Sequence, residues 1–451
     1  MQMDNNHKDQ SDVKDPVKKL TTYTLGCKVN QYETQAIIEL FEEAGYTSVS
    51  VDDVADVLII NTCTVTSMSD RKSRQMIRRA RKMNPQAVVA VTGCYAQLSP
   101  EEVKKLDGVQ VVAGTNQRHR LLDAVEAVSP TQECPVVLVE PHRQGAPFEP
   151  LSVNKTNEMT RAYVKIQDGC NQFCSYCIIP YARGPIRSRD KKEVIEEITR
   201  LVNHGYQEVV LTGIHLASYG KDMKKPDGLI ELLESIDDIK GLKRMRLGSL
   251  EPTLMDRPFV ARLMKLKTLC QHFHLSLQSG CDKTLNAMNR KYTTEAYAHA
   301  VDLIRQYDST AAITTDIIVG FPGETEEDFN RSLEFVRAIG FADVHVFRYS
   351  PRAGTPAALY ENQVSEETKN LRSKTLALEV ETMKNQYLSR FIGQEADVLM
   401  EKKSSMEGRW MEGHTRHYTL VVVPQEEKLL HHEVRVKITG VENGHCKGIL
   451  L

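Results

Sequence analysis

Apolar positions along the chain recur with a period of two in some stretches and at helical spacing in others, and the two patterns take turns. Residues 20–25, 57–61, 87–91 and 109–113 read as strands, with a weaker one over 46–51. Between them, residues 32–44 carry Ile37, Ile38, Leu40 and Phe41 on one helical face, and 69–83, 100–106 and 117–128 are further helices. Strict alternation of this kind predicts a parallel sheet covered on both faces, here over residues 18–130. Residues 1–17 are polar and read as a disordered tail.

Residues 131–160 read as a linker. Pro130, Pro135, Pro141, Pro147 and Pro150 crowd this stretch and its start, with room for one extra strand over 136–139. A second run follows over 161–390. Its strands are 162–167, 208–212, 244–248, 272–277, 314–319 and 344–349, separated by helices such as 194–202, 229–236 and 325–338. Six such units predict an incomplete (β/α)6 barrel of the TIM type. A long helix over 366–391 leads away from it. The last part, 391–451, changes character: strands over 396–401, 417–423 and 433–439, with turns at Glu407-Gly408, Glu412-Gly413 and Asn443-Gly444, predict a small β-barrel. The fold class is therefore α/β with a small all-β domain at the end.

No apolar run approaches the roughly 20 residues of a membrane span, and the polar start is no signal peptide. The expected compartment is the cytoplasm. With 58 Lys and Arg against 60 Asp and Glu, the chain is not basic, so a nucleic-acid partner needs a local patch. Ten cysteines in a chain without an export signal point to metal or catalysis rather than to disulfides.

Cys170, Cys174 and Cys177 form a C-x3-C-x2-C loop just after the first strand of the second run. Three thiolates on one short loop hold three corners of a metal site and leave one position open, which marks a reactive centre. Thiolates select iron–sulfur clusters or zinc. A structural zinc loop with a distant fourth ligand is the competing reading. Cys27, Cys63 and Cys94 each follow a predicted parallel strand of the first run. The carboxyl ends of such strands converge on the ligand crevice, so these three can meet around a second metal centre. Cys134, Cys270, Cys281 and Cys446 are read as packing residues.

The cysteine loop, placed after the first strand of a β/α run, with Tyr176 just before its last cysteine, resembles the radical S-adenosylmethionine (SAM) superfamily. A three-cysteine α/β domain, then this loop on a barrel, then a small β domain resembles the methylthiotransferase family over residues 20–451, with the last part similar to its RNA-binding TRAM domain. The motifs TLGCKVNQYET, RLGSLEP and MNRKYT look most like the branch that acts on threonylcarbamoyladenosine in tRNA. The resemblance implies two 4Fe–4S clusters, one at Cys170, Cys174 and Cys177 and one at Cys27, Cys63 and Cys94. It implies SAM as radical source and methyl donor, a tRNA substrate, a low-potential electron donor and a sulfur donor of unknown identity. The reaction implied is replacement of the C2 hydrogen of the adenine by a methylthio group. The alternatives are isopentenyl-adenosine in tRNA, an aspartate of a small-subunit ribosomal protein, or a non-catalytic RNA-binding protein with structural metal.

Thr212 and Gly213 end the second barrel strand where many superfamily members carry Gly-Gly-Glu around the SAM amino group; this sequence departs from that motif. Glu251 follows the third strand and is the candidate for the SAM ribose hydroxyls. Gln278 ends the fourth strand, and Gly320 lies in the fifth-strand segment that the resemblance sets beside the adenine. For RNA, Arg71, Lys72, Arg74, Arg78, Arg79, Arg81 and Lys82 put seven basic residues within twelve, with Met76, Ala80 and Met83 packing down. Arg183, Arg187 and Arg189 form a second candidate patch. In the last domain eight Lys and Arg face nine Asp and Glu, and Arg409, Arg416, His417 and Tyr418 are the candidates for contact.

Overall fold

The structure, a computed structural model, describes residues 17–154, 160–406 and 409–451. The expected tail up to residue 16 and the expected Glu407-Gly408 turn lie outside the described residues.

Strands β1 (Lys19–Thr24), β2 (Thr47–Ser48), β3 (Val57–Thr62), β4 (Val88–Gly93), β5 (Val111–Ala113) and β6 (Val136–Leu138) form one parallel sheet, ordered β2-β1-β3-β4-β5-β6. Every residue of β3 and β4 is buried, as a central strand covered on both faces requires. The sixth strand comes from the proline-rich stretch expected to be a linker. The same stretch then buries Glu149, Leu151 and Val153, so it is packed rather than loose. The Lys28–Glu43 helix begins four residues earlier than its apolar spacing predicts. Its first turn, Lys28 to Gln31, is hidden from a hydrophobicity pattern because three of its four residues are polar and one of those, Asn30, is buried.

Strands β7 (Arg161–Asp168), β8 (Arg187–Ser188), β9 (Glu208–Gly213), β10 (Arg244–Leu247), β11 (His272–His274), β12 (Ala312–Val319) and β13 (Asp343–Arg348) build the central domain. They form two sheets, β10-β9-β7-β8 and β11-β12-β13, joined by parallel bridges Met245–Leu269 and Leu250–Leu275. Six strands thus run parallel around an open barrel, and short β8 lies antiparallel on the first edge. Alternation sends Val164, Leu211, Met245, Phe273 and Ile313 outward into one apolar core with Ile198, Leu201, Val301 and Val336 of the surrounding helices. The other face points inward and is polar. Arg161, Glu208, Arg246, His272, His274, Thr314 and Asp316 line it. Arg246 Nε donates to Glu208 at 2.8 Å, and His272 Nε2 lies 3.0 Å from Thr314 Oγ1. A TIM-type interior is ordinarily filled by branched apolar side chains; this one is a polar chamber. The Glu366–Ser389 helix, expected to lead away, packs Leu376, Val380 and Met383 into the barrel's core.

Strands β14 (Glu395–Lys403), β15 (Trp410–Thr415), β16 (Leu420–Pro424), β17 (Glu433–Glu442) and β18 (His445–Leu450) close into a barrel ordered β14-β15-β16-β18-β17. Glu412-Gly413 is not a turn but the middle of β15. A Cβ at Gly413 would meet the Leu399 carbonyl oxygen at 2.3 Å, so this glycine permits a close backbone approach beside the bulge in β14. Asn443-Gly444 does turn between β17 and β18, with φ of 48° and 72°.

The turn between β15 and β16 changes the picture of this domain. Tyr418, at φ 63°, sits beneath the open barrel, at the end where its strands begin. Its ring lies 4.8 Å from the Arg246 guanidinium and 5.3 Å from that of Arg161, and stacks on His272 at 4.9 Å. Arg416 donates to the carbonyls of Lys243 at 2.8 Å and Lys267 at 3.2 Å, and His417 lies 3.6 Å from Asp308. Three of the four residues expected to contact RNA therefore dock this domain onto the barrel floor; Arg409 stays exposed.

Candidate active site

Strands β1, β3 and β4 are neighbours, so the loops at their carboxyl ends lie side by side. Cys27 caps the start of the Lys28–Glu43 helix, Cys63 follows β3, and Cys94 opens the short Cys94–Leu98 helix after β4. A Cβ on Gly26 would stand 2.8 Å from Cys63 Cβ, which puts Cys63 against the turn that carries Cys27. Cys27 feels the charge of Cys63, Cys63 that of Cys94, and Cys94 that of Cys27. Cys27 is open to solvent while Cys63 and Cys94 are buried. Desolvation by the surrounding protein raises all three thiol pKa values, that of Cys27 included although water reaches it, so metal loading must displace protons.

The C-x3-C-x2-C loop leaves β7 at the carboxyl end of the barrel. The Gln172 amide donates to Cys170 Sγ at 3.5 Å, and Arg290 Nη1 donates to Cys174 Sγ at 3.3 Å. Burial pushes Cys170 up to about 11 and Cys177 up to about 12. Glu251 lies beside this loop. It accepts from Gln172 Nε2 at 3.1 Å, pairs with Arg290 at 3.2 Å and lies 2.8 Å from His215 Nε2. Burial pushes its carboxyl up, but the His215 bond and the charges of His215 and Arg290 outweigh that and hold it below the usual range.

Both cysteine sets fit a multinuclear group better than a single ion. Tetrahedral zinc sets its thiolates about 3.8 Å apart. Among the described residues, the one set of three or more potential ligands within 4.8 Å of one another is His274, Asp316 and His345, not either cysteine set. Wider spacing, three thiols per site and N–H donors aimed at sulfur suit iron–sulfur clusters.

The N-terminal domain spans the gap between the first and last strands of the open barrel. On the first edge, Glu33 of the Lys28–Glu43 helix meets Lys165 Nζ at 2.7 Å, Arg118 at 2.8 Å and Arg183 Nη2 at 3.1 Å, all of them buried. Burial pushes the Glu33 carboxyl up, but Arg118, Arg183 and Lys165 overcome this and hold it at about 2. Tyr32 Oη donates to the Leu151 carbonyl at 3.0 Å. On the last edge, Arg352 beyond β13 pairs with Asp70 and donates to Thr64 Oγ1 at 2.5 Å, next to Cys63. The Cys94 turn is thereby set against the Ile179–Arg183 helix that follows the C-x3-C-x2-C loop, where Arg183 Nε donates to Cys94 Sγ at 3.1 Å.

Of the residues expected around SAM, Glu251 meets the C-x3-C-x2-C loop through Gln172, and Thr212 is buried in β9 beside Lys165 of β7. Gly213 backs onto Gln167, whose Nε2 donates to the Gly169 carbonyl at 2.7 Å. Gln278 follows β11 at φ 73°, and its amide donates to the Asp316 carbonyl at 2.9 Å. The Gly320 amide donates to Glu324 Oε1 at 2.9 Å, and this glycine backs onto Lys369.

The Ser67–Met83 helix turns Ser73, Ile77 and Ala80 inward, while Met83, expected to pack, is exposed. Arg74 donates to Tyr95 Oη and Arg81 to the Ala87 carbonyl. Arg71, Lys72, Arg78, Arg79 and Lys82 stay exposed, with no ion-pair partner among the described residues. The second expected patch is overturned: Arg183, Arg187 and Arg189 are buried, engaged with Glu33, Asp168, Glu193 and Glu197.

Sequence reasoning missed several residues. His274, Asp316 and His345 sit on successive strands at one level of the chamber wall, but they are far apart in sequence. Lys28, next to Cys27, is reached by water yet walled in by protein. That desolvation, then Arg246 and Arg161, lowers its pKa. Its neighbour Cys27 was the available signal.

Residues 19–114 match the uncharacterized protein family UPF0004, and residues 164–336 match the radical SAM superfamily. Threonylcarbamoyladenosine tRNA methylthiotransferase MtaB of Bacillus subtilis (strain 168) is 42% identical over 419 residues, 92% of each chain. The protein of that name from Thermotoga maritima is 40% identical over 85% of this chain and 87% of its own. The tRNA-2-methylthio-N(6)-dimethylallyladenosine synthase of Pelotomaculum thermopropionicum is 35% identical over 96% of this chain and 98% of its own. The solved radical SAM methyltransferase TsrM from Kitasatospora setae shares the fold, with a TM-score of 0.56 and 16% identity over 76% of this chain and 74% of its own. With relatives of this closeness along nearly its whole length, the chain belongs to the methylthiotransferase family of radical SAM enzymes.

Proposed function

We propose that this enzyme inserts a methylthio group at C2 of N6-threonylcarbamoyladenosine next to the anticodon of tRNA, giving the 2-methylthio nucleoside, in the cytoplasm. The observation that carries the substrate choice is the polar chamber. His274 and Asp316 line its open part and Lys28 reaches into it, while Arg161, Arg246 and His272 are buried beneath against Glu208, Thr314 and Tyr418. An isopentenyl group there would strip water from charged side chains and return no hydrogen bond. A threonylcarbamoyl group brings a carboxylate, a hydroxyl and amides that pair with such walls. The higher identity to the relatives named for this nucleoside points the same way.

Cys27, Cys63 and Cys94 would hold one 4Fe–4S cluster and Cys170, Cys174 and Cys177 the other, and these with SAM would supply radical, sulfur and methyl group. The chain's own residues position and exclude. Glu251, with Thr212 and Gly213, is the candidate contact for SAM beside the cysteine loop, and Gln278 and Gly320 are the further candidates. Arg290 orients Glu251 and the Cys174 sulfur together. Tyr418 closes the floor, and the N-terminal domain closes the side, so a reactive carbon is kept from water. Arg71, Lys72, Arg78, Arg79 and Lys82 offer phosphate contacts beside Cys63. A low-potential electron donor and a sulfur donor complete the reaction.

Mass spectrometry of tRNA nucleosides from cells lacking the protein tests this. Loss of the methylthio form of threonylcarbamoyladenosine with accumulation of its precursor is the expected result. Loss of the methylthio isopentenyl form instead would refute the substrate choice. An unchanged nucleoside profile would redirect the search to a ribosomal protein.

A further inference from the structure

Arg183 stands out among the buried side chains. It belongs to the short Ile179–Arg183 helix that follows the C-x3-C-x2-C loop, yet its guanidinium reaches the other cysteine set. Nε donates to Cys94 Sγ at 3.1 Å, and Nη2 donates to Asn30 Oδ1 at 2.7 Å. That same Asn30 oxygen lies 3.8 Å from Cys27 Sγ. Arg183 is 0% exposed.

The surrounding charges do not balance. Arg118, Lys165, Arg183 and Arg187 form one buried network with Glu33, Asp168 and Glu149, four cations against three carboxylates. A buried surplus cation is costly unless an anion completes the set. The group within reach that can become that anion is the sulfur of Cys94, deprotonated when it holds metal. At the other cysteine set Arg290 also donates to a sulfur, but Glu251 sits 3.2 Å away and cancels its charge. The two sites therefore differ in net charge although both receive an arginine N–H.

Resting on the two-cluster reading above, we propose that Arg183 is a positioning residue that raises the reduction potential of the cluster held by Cys27, Cys63 and Cys94 above that of the cluster at Cys170, Cys174 and Cys177. Hydrogen bonds to sulfur and local positive charge favour the more electron-rich state. The overall reaction gives this a use. When the C2 hydrogen leaves as a hydrogen atom and the carbon radical bonds a methylthiolate sulfur, the new C–S bond uses the carbon's unpaired electron and one electron of a sulfur lone pair, and the other electron of that pair remains to be accepted. A cluster held by Cys27, Cys63 and Cys94 would supply a one-electron acceptor there, and Arg183 would favour its reduced state.

Anaerobic redox titration of the reconstituted full-length chain, followed by electron paramagnetic resonance, tests the proposal. The Cys170/Cys174/Cys177→Ala chain assigns the N-terminal signal. Arg183→Gln removes the charge, while Arg118 and Lys165 still neutralise Glu33. Its N-terminal midpoint is expected to fall, with a smaller fall in Arg183→Lys. An unchanged midpoint at full iron content overturns the proposal. Loss of N-terminal iron in both variants overturns it too, because Arg183 would then be a structural clamp. A wild-type chain that loads one cluster refutes the two-cluster reading itself, whatever Arg183 does.

Discussion

Glu33 holds three cations of two domains on one carboxylate, and everything around it is buried. Removing one partner of a buried pair leaves uncompensated charge, so Glu33→Ala is expected to cost about 3–5 kcal/mol in chemical denaturation. The same group makes stability depend on acid. Its folded pKa of about 2 lies below the ordinary 4.5, as does that of Glu208, also about 2. Each stabilises the fold fully above 4.5, and the contribution drains as pH falls toward 2. Urea midpoints measured from about pH 7 down to about pH 3 should hold level above about pH 5 and then drop, and Glu33→Gln should flatten that drop. The cysteines separate by chemistry: Cys174→Ala should abolish both SAM cleavage and product, whereas Cys63→Ala should spare SAM cleavage and lose sulfur insertion. Unimpaired methylthiolation in either variant would falsify the two-site assignment. Both cysteine sets were legible in the sequence, because ligand spacing and strand ends leave a written trace. Glu33, Arg183 and Arg290 were not: a charged residue looks the same in a sequence whether it meets water or a buried partner. That is why Arg183, Arg187 and Arg189 read as a surface patch.

At the scale of elements, strands with a single apolar run, such as β3 and β4, were plain, because burial on both faces keeps residues 57–60 and 88–91 apolar throughout. β15 was missed because Gly413 signals a break locally, while its actual role is contact with a neighbouring strand. The Tyr418 turn was misread for a similar reason, since a tyrosine among basic residues resembles an RNA surface until the barrel floor is set against it. Tyr418→Gly keeps a residue at ease at positive φ and removes only the ring. It should lower stability by about 2–4 kcal/mol and speed proteolytic release of the last domain, with Tyr418→Phe close to wild type. The Ser67–Met83 helix offers a separable test. Replacing Arg78 and Arg79 by Ala should weaken tRNA binding and reduce the slope of log affinity against log salt by about 1.5–2. An unchanged slope would make the helix a solvated face.

At the scale of the whole molecule, the three-part order along the chain was readable, but the way the parts close on one another was not. An open barrel has two free edges, and nothing in a strand pattern says what spans them. Here Glu33 and Tyr32 clasp one edge and Arg352 the other, so the N-terminal sheet forms the missing wall. The last barrel seals the end below. With that side and that end covered, the carboxyl ends of the strands are what a substrate base has left to approach. A nucleotide must swing out of its stack to enter, and the modified base must back out the way it came. Each base modified therefore takes one full entry and one full withdrawal.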